Sequence, residues 1–142
     1  MMRLKVAAAA AVLLAAVACS PRQSETPHRE AQTIAVTDSL LRCGGSDTVR
    51  FGRLHSGEVG VKNFILRNFT GKPVVLVRTE TTCSCTSFDY ERRPVMPGGE
   101  TRVTCRFDSS GEWGWQFKLV KLWLSEADEP LRIFVEAEVL YD

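Results

Sequence analysis

The sequence predicts an all-β, immunoglobulin-like β-sandwich of about seven antiparallel strands, placed after an N-terminal signal and lipid-anchor segment. From residue 48 onward, short runs rich in Val, Phe, Leu and Thr alternate with turn signals at regular spacing. Apolar and polar side chains alternate within these runs, as they do in half-buried strands. No window holds a sustained helical stripe with caps. A small closed barrel is the alternative that the same pattern allows.

The N-terminus has the features of a signal peptide. Its first residues, MMRLK, are basic, and an unbroken apolar run follows from Val6 to Ala18. This run is shorter than the roughly 20 apolar residues that a spanning helix needs. Cys19 follows Ala16-Val17-Ala18, which resembles a bacterial lipobox, so we expect lipidation of Cys19. Two or three acyl chains anchor a protein stably. The alternative interpretation of the run is a buried Ala-rich helix.

These features divide the chain into three parts. Residues 1–18 are predicted to be a lipoprotein signal peptide, residues 19–46 a tether with a partly ordered lead-in, and residues 47–142 the immunoglobulin-like domain. The tether is polar and contains two prolines. The sequence therefore predicts a membrane-anchored lipoprotein of the bacterial cell envelope that faces the periplasm, with the cell surface as the other open location.

The strands follow one another in a clear order. The runs DTVRFG, EVGVKNFILRNF and VVLVRTETT come first, then the irregular stretch CSCTSFDYERRPVMPGG, and then TRVTCRFD, WQFKLVKLWLSE and LRIFVEAEVL. In TRVTCRFD, alternation places Val103, Cys105 and Phe107 on one face. We expect this face to line the core, so Cys105 is predicted to be a buried residue.

Charge and motifs exclude several classes of function. The chain has 18 Lys and Arg residues against 17 Asp and Glu residues, so it lacks the basic excess of a nucleic-acid-binding protein. It contains no Gly-x-Ser-x-Gly elbow, no His-Glu-x-x-His zinc motif and no phosphate-binding loop. The sequence therefore predicts a protein that is not an enzyme.

The motifs resemble a family of bacterial envelope lipoproteins of unknown function, the domain of unknown function numbered fifteen seventy-three. The resemblance covers about residues 48 to 139. It rests on Phe51-Gly52, Gly57-Glu58, Asn68 to Gly71, Pro73, Cys83 to Thr86, Pro97-Gly98 and Phe107-Asp108. Ser84 stands where the family usually has Gly. The resemblance implies an immunoglobulin-like sandwich related to chaperone-type and cilia-associated modules, and it implies no established activity.

Cysteine chemistry leaves three alternatives open for the stretch TTCSCTS. A bond between Cys83 and Cys85 requires a turn, because alternate Cα atoms of an extended strand lie about 6.6 Å apart. Such a bond would be easily reduced, which suits a redox function. A bridge from Cys43 to either residue would instead close a loop of about 40 residues. Two adjacent thiolates would also suit Cu(I), and no other cofactor is predicted.

The run WQFKLVKLWLSE is apolar on both of its faces, which predicts an exposed apolar surface. Trp is enriched at binding hot spots, so we interpret this surface as a candidate partner-binding face. Its residues are Trp115, Phe117, Leu119, Trp123, Val75, Val77 and Phe134. The predicted partner is another envelope protein or a second copy of this chain, in addition to the membrane reached through the N-terminal lipid. The alternative is that Ile34 to Leu41 folds back over this face.

Overall fold

The computed structural model describes residues 31–141. The signal peptide, Cys19 and most of the predicted tether lie outside these residues. The described part contains eight strands and one short helix. They are β1 (Gln32–Val36), α1 (Asp38–Cys43), β2 (Gly45–His55), β3 (Val59–Asn68), β4 (Leu76–Thr81), β5 (Thr86–Tyr90), β6 (Glu100–Asp108), β7 (Gly114–Leu124) and β8 (Leu131–Leu140). Between residues 31 and 141, no helix is long and apolar enough to cross a membrane.

The strands form two four-stranded sheets, which confirms the predicted sandwich. The first sheet has the order β1-β3-β6-β5, and the second has the order β2-β8-β7-β4. Most neighbouring strands are antiparallel, but β1 pairs with β3 and β2 pairs with β8 in parallel. The two strands of each parallel pair are not consecutive in the chain, so no tight hairpin requires them to be antiparallel. The closed barrel is excluded, since the two sheets are separate.

Two segments with weak sequence signals are strands. The chain from Gln32 to Val36 pairs with β3, and Thr86 to Tyr90, within the stretch interpreted as irregular, pairs with β6. The helix between β1 and β2 also has no stripe in the sequence, because it has six residues and buries only Leu41. The Thr37 side chain caps it by accepting a hydrogen bond from the Leu40 backbone N–H at 3.2 Å.

The core lies between the inward rows of the two sheets. Val103, Cys105 and Phe107 of β6 are fully buried, as the alternation predicted. In β8, the inward row from Leu131 to Val139 is buried in the same way. Gly60 allows Phe51 to pack across β3, because a Cβ at this glycine would lie 2.4 Å from the Phe51 ring. Phe51 thereby reaches Phe107, with ring centroids 5.9 Å apart.

Candidate functional site

The cysteine pair lies where the chain leaves the second sheet at the end of β4 and enters the first sheet at β5. Cys83 and Cys85 form a disulfide, and a turn at Ser84 brings their Cα atoms to 5.2 Å. Threonine side chains hold this turn. Thr81 Oγ1 accepts from the Cys83 backbone N–H at 3.2 Å and lies 2.8 Å from Thr86 Oγ1. The local sequence TTCSCT therefore builds the turn that the disulfide requires.

A second connection between the sheets reaches the same place. The Asp108 backbone N–H donates to the Cys85 carbonyl at 2.8 Å, and the β6–β7 connection that follows carries Glu112. One carboxylate oxygen of Glu112 lies 3.9 Å from Cys83 Sγ, and the other accepts from Lys118 Nζ at 3.1 Å. The Glu112 and Lys118 side chains are both mostly buried, with 21% of each exposed. A mostly buried ion pair thus faces the disulfide.

The two sulfurs differ in their surroundings. Cys85 packs against the hydrophobic core, whereas Cys83 lies outside that cluster and follows the exposed Thr82. Cys83 Sγ also accepts a hydrogen bond from the Cys85 backbone N–H at 3.1 Å. Both residues are partly buried, and Cys83 is the one that lies outside the core cluster and has a backbone donor.

These groups also contain three atoms of the kind that bind metals. The two sulfurs and a Glu112 carboxylate oxygen lie within 4.8 Å of one another. Because the sulfurs are bonded to each other, they offer no thiolate to an ion in this state. Copper binding by Cys83 and Cys85 would therefore begin with reduction of the bond.

The other two described cysteines are free and lie elsewhere. Cys43 is exposed on α1, at the end of the sandwich where β8 begins, whereas the pair lies beyond the opposite end of β4. The structure therefore does not bring Cys43 to Cys83 or Cys85. Cys105 is buried in the core, and burial raises the pKa of its thiol from 9.0 to about 12.

The candidate partner-binding face lies on the outer side of the second sheet. Trp115 and Phe117 of β7 are 71% and 63% exposed, and Leu119 and Trp123 continue the same row with Lys121 between them. On the other face of this strand, Val120, Leu122 and Leu124 are buried. From here on, "aromatic face" means Trp115, Phe117, Leu119, Trp123 and Phe134.

Ring contacts order the aromatic face. The rings of Phe117 and Phe134 are stacked, with centroids 4.9 Å apart and planes 15° from parallel. The Arg78 guanidinium lies 4.6 Å from the centroid of the Trp123 ring. These contacts fix the rings, yet they leave most of Phe117 open to solvent.

The predicted contribution of β4 to this face is different in the structure. An irregularity between Leu76 and Arg78 makes Arg78, and not Val77, the residue that pairs with Trp123. Val77 is 44% exposed at this edge strand. Val75 precedes β4, where its backbone N–H donates to Ser125 Oγ at 2.9 Å. The sequence could not indicate Arg78, because the prediction assumed strict alternation along the strand and a bulge breaks that alternation.

Charged pairs flank the aromatic face on both sides. On the β2 side, Arg53 forms a salt bridge with Glu138 at 2.9 Å. A second salt bridge joins Arg50 and Glu136 at 3.5 Å on the same two strands. On the β4 side, Arg78 donates to Glu80 from Nε at 3.0 Å and Nη2 at 2.8 Å. This hydrogen bonding lowers the pKa of the Glu80 carboxyl. Arg78, Arg50, Arg53 and their partners form the rim of the face.

The segment from Ile34 to Leu41, which was the alternative prediction for covering the aromatic face, lies elsewhere. Ile34 belongs to β1, which pairs with β3 in the first sheet, and its side chain is buried in the core. Leu41 is also buried, on α1. Within residues 31–141, Trp115 and Phe117 therefore remain exposed.

A family model covers most of the described domain. The family model described as "Protein of unknown function (DUF1573)" matches residues 44–139. The chain belongs to this family. No curated protein matches the sequence.

Solved structures with a similar fold support the β-sandwich. A protein of unknown function from Porphyromonas gingivalis W83 is similar over 66% of this chain, with 22% identity and a TM-score of 0.58. This chain spans 44% of that one. The ASH / PapD-like domain of human CEP192 is similar over 67% of this chain and 82% of its own length, with 12% identity and a TM-score of 0.52. These likenesses show the fold alone.

A likeness to a protease also stops at the fold. The secreted serine protease VesC from Vibrio cholerae is similar over 64% of this chain, with 11% identity and a TM-score of 0.51. Only 21% of the VesC chain is covered.

The Asn68 to Gly71 and Pro97-Gly98 motifs of this chain have structural roles. The buried Asn68 side chain donates to the carbonyls of Lys72 at 2.7 Å and Val95 at 2.8 Å, and it accepts from the Thr70 backbone N–H. The Gly98 backbone N–H donates to the Asn68 carbonyl at 2.8 Å. Asn68 thus joins two loops, whereas the Cys83 to Thr86 motif is the one that brings reactive groups together.

Proposed function

We propose that this DUF1573 protein is a lipid-anchored envelope protein whose immunoglobulin-like domain acts as a binding or scaffolding module and not as a catalyst. Its partner is another envelope protein, which docks on the aromatic face. The observation that supports this proposal most strongly is the exposure of Trp115 and Phe117 in one continuous row. Large aromatic side chains are rarely left open in a row on a monomer without a use.

The composition of the surface fits a protein partner. Interfaces typically have an apolar, aromatic centre and a polar rim. Here the stacked rings of Phe117 and Phe134 form the centre, and the Arg53–Glu138 pair belongs to the rim. The rim carries both signs of charge, so it suits a partner surface of mixed charge. A nucleic acid would require a basic excess that the chain lacks.

The lipid anchor on Cys19 would hold this domain close to the membrane. Residues 20–31 separate Cys19 from β1, and 12 residues reach at most about 40 Å when fully extended. Replacement of Cys19 by Ala should release the protein from the membrane fraction and leave the fold unchanged. Membrane fractionation of Cys19→Ala, with Cys43→Ala as the matched control, measures this. Retention of Cys19→Ala in the membrane would contradict the anchor.

Site-specific photo-cross-linking in cells tests the docking face. A photoreactive phenylalanine analogue at position 117 should give one discrete adduct, and the adduct should disappear when Trp123→Ala or Phe134→Ala is added. The same analogue at Phe69 is the matched control, because Phe69 is 57% exposed and follows β3 of the first sheet. An adduct with a second copy of this chain would assign the face to self-association. Equal adducts from both positions would contradict the proposal.

A second candidate function uses the cysteine pair. The structure brings Cys83 and Cys85 into bonding contact at the end of the sandwich, next to Glu112. This contact favours a thiol-redox protein, or a copper-handling one once the bond is reduced. The two candidates separate cleanly, since Cys83→Ser should abolish thiol chemistry and leave cross-linking from position 117 intact.

A further inference from the structure

We propose that the Cys83–Cys85 disulfide exchanges with a cysteine pair on another protein chain. In this exchange, Cys83 is the sulfur that bonds to the partner, Cys85 is the sulfur that leaves and later resolves the bond, and Glu112 carries the proton. The inference deepens the thiol-based candidate function and rests on it. It does not depend on the aromatic face.

The surroundings of the two sulfurs indicate that Cys83 is the one that bonds to the partner. Thiolate attack on a disulfide proceeds along the line of the S–S bond and displaces the far sulfur. Cys85 packs against the core, and Cys83 lies outside the core on the turn between the exposed residues Thr82 and Ser84. Both cysteines are partly buried, but only Cys85 packs against the core, so we assign the attack to Cys83 and the displacement to Cys85.

Hydrogen bonding supports the same assignment. Cys83 Sγ accepts from the Cys85 backbone N–H at 3.1 Å. A hydrogen bond to a charged acceptor is roughly twice as strong as one between neutral groups, so this N–H favours a thiolate on Cys83. The Glu112 carboxylate opposes it as a like charge, and the ion pair with Lys118 offsets that repulsion. Cys83 is therefore the better attacking thiolate in the reduced chain and the better leaving group when the bond to the partner breaks.

Glu112 is placed to carry the proton of this exchange. Its carboxylate lies 3.9 Å from Cys83 Sγ and within 4.8 Å of both sulfurs, and Lys118 holds its other oxygen at 3.1 Å. Both partners of this ion pair are mostly buried, so the carboxylate is held towards the sulfurs and away from bulk water. A carboxylate at this position can accept a thiol proton and return it to a leaving thiolate.

The first step forms the mixed disulfide. One partner thiol gives its proton to Glu112, and its sulfur attacks Cys83 Sγ. The bond between the two cysteines breaks, and Cys85 leaves with the electron pair and takes the proton back from Glu112. The domain is now joined to the partner through Cys83, and Cys85 is a thiol.

The second step completes the exchange. The second partner thiol attacks the partner sulfur of the mixed disulfide, Cys83 leaves with the electron pair, and the proton of the attacking thiol passes to Cys83. Two electrons and two protons have moved from the partner's dithiol to the cysteine pair. The partner is oxidised to a disulfide, and Cys83 and Cys85 are reduced to thiols.

Trapping experiments on the full chain in detergent test the assignment of the sulfurs. The probe is a peptide disulfide with a chromophoric leaving thiol, and both variants carry Cys43→Ser to remove the exposed free thiol. Cys85→Ser should form the mixed disulfide on Cys83 at least tenfold faster than Cys83→Ser forms it on Cys85. Peptide mapping by mass spectrometry locates the bond. Equal rates, or a faster reaction at Cys85, would overturn the assignment.

A separate experiment tests the exchange and the role of Glu112. The oxidised full chain with Cys43→Ser should convert a reduced dithiol peptide to its disulfide, one peptide per chain, as differential alkylation measures. Glu112→Gln, which keeps the shape of the side chain, should slow this reaction about tenfold at neutral pH. Glu100→Gln, an exposed carboxylate at the start of β6, is the matched control and should have no effect.

Each outcome is decisive for the inference. A rate that is unchanged or faster in Glu112→Gln would overturn the proton role, and a chain that never oxidises the peptide would overturn the exchange itself. An unchanged thermal unfolding midpoint shows that each variant is folded. Failure of the docking proposal would appear only in cross-linking from position 117, so the two proposals fail separately.

Discussion

The two sheets of this sandwich differ on their outer sides. The outer row of the first sheet is mainly polar on β6 and its partners, with Arg106 paired to Asp89 at 3.1 Å and Thr104 donating to Asn63 at 2.8 Å. Its exposed apolar members on β3, Val59 and Val61, are aliphatic and not aromatic. The outer row of the second sheet, which also faces away from the core, has stacked phenylalanine rings and the exposed Trp115. Both sheets have a fully buried inner row at their centre, as in β6 of the first sheet and β8 of the second. The apolar outer row is therefore not needed for the core, which supports its assignment to binding.

The largest expected effect separates an inner aromatic residue from an outer one. Phe107→Ala removes a fully buried ring, so we expect it to lower the free energy of unfolding by about 3–5 kcal/mol. Phe117→Ala removes a ring that is 63% exposed, and the loss should stay near 1 kcal/mol. Urea unfolding of the two variants measures the difference. Similar losses would show that the outer row is part of the core.

The next effect concerns the thiol in the inner row of the first sheet. Burial raises the pKa of Cys105 from 9.0 to about 12, so the unfolded chain loses this proton at lower pH than the folded chain does. The free energy of unfolding should therefore fall between pH 9 and pH 12 by up to about 1.4 kcal/mol per pH unit. Below pH 9 this contribution is constant.

Comparison with Cys105→Ala isolates this term. The variant loses some stability at every pH, but its slope above pH 9 should be shallower than that of the parent chain. Thermal unfolding from pH 8 to pH 10.5 gives both slopes. Parallel curves would show that Cys105 ionises in the folded chain as it does in the unfolded chain.

The smallest expected change in the free energy of unfolding comes from breaking a salt bridge on either outer row. Arg53→Met breaks the pair with Glu138, and Arg106→Met breaks the pair with Asp89. Each change should cost less than about 1 kcal/mol, because both arginines are largely exposed, and the cost should shrink in 1 M salt. Urea unfolding at low and high salt measures it. A loss of several kcal/mol in either variant would give that pair a structural role that its exposure does not suggest.

The sequence predicted those parts of the molecule that follow a regular period. Alternation in β6 and β8 identified the buried rows, including Cys105. The run that forms β7 is apolar on both faces, and it was the family resemblance that implied an outward row with Trp115 and Phe117. Short pieces escaped prediction, since α1 buries one residue and β5 spans five. Segments of so few residues are too short to show a helical or strand period in the sequence.

The site was predicted only where it is local. The sequence left the Cys83–Cys85 bond as one of three alternatives and made it depend on a turn, which the threonine hydrogen bonds stabilise. Glu112 and Lys118 were not predicted, because two separate connections between the sheets bring them to the sulfurs. Arg78 was missed because a bulge shifts it onto Trp123.

Oxidative footprinting of the intact envelope tests the central claim, that a partner covers the outer row of the second sheet. Hydroxyl radicals modify exposed aromatic side chains, and mass spectrometry quantifies the products for each residue. We expect Trp115 and Phe117 to be modified several-fold less in intact cells than in the purified chain. Phe69, which is 57% exposed after the last residue of β3, should be modified equally in both. Equal modification of Trp115 and Phe117 in both samples would contradict docking on this face.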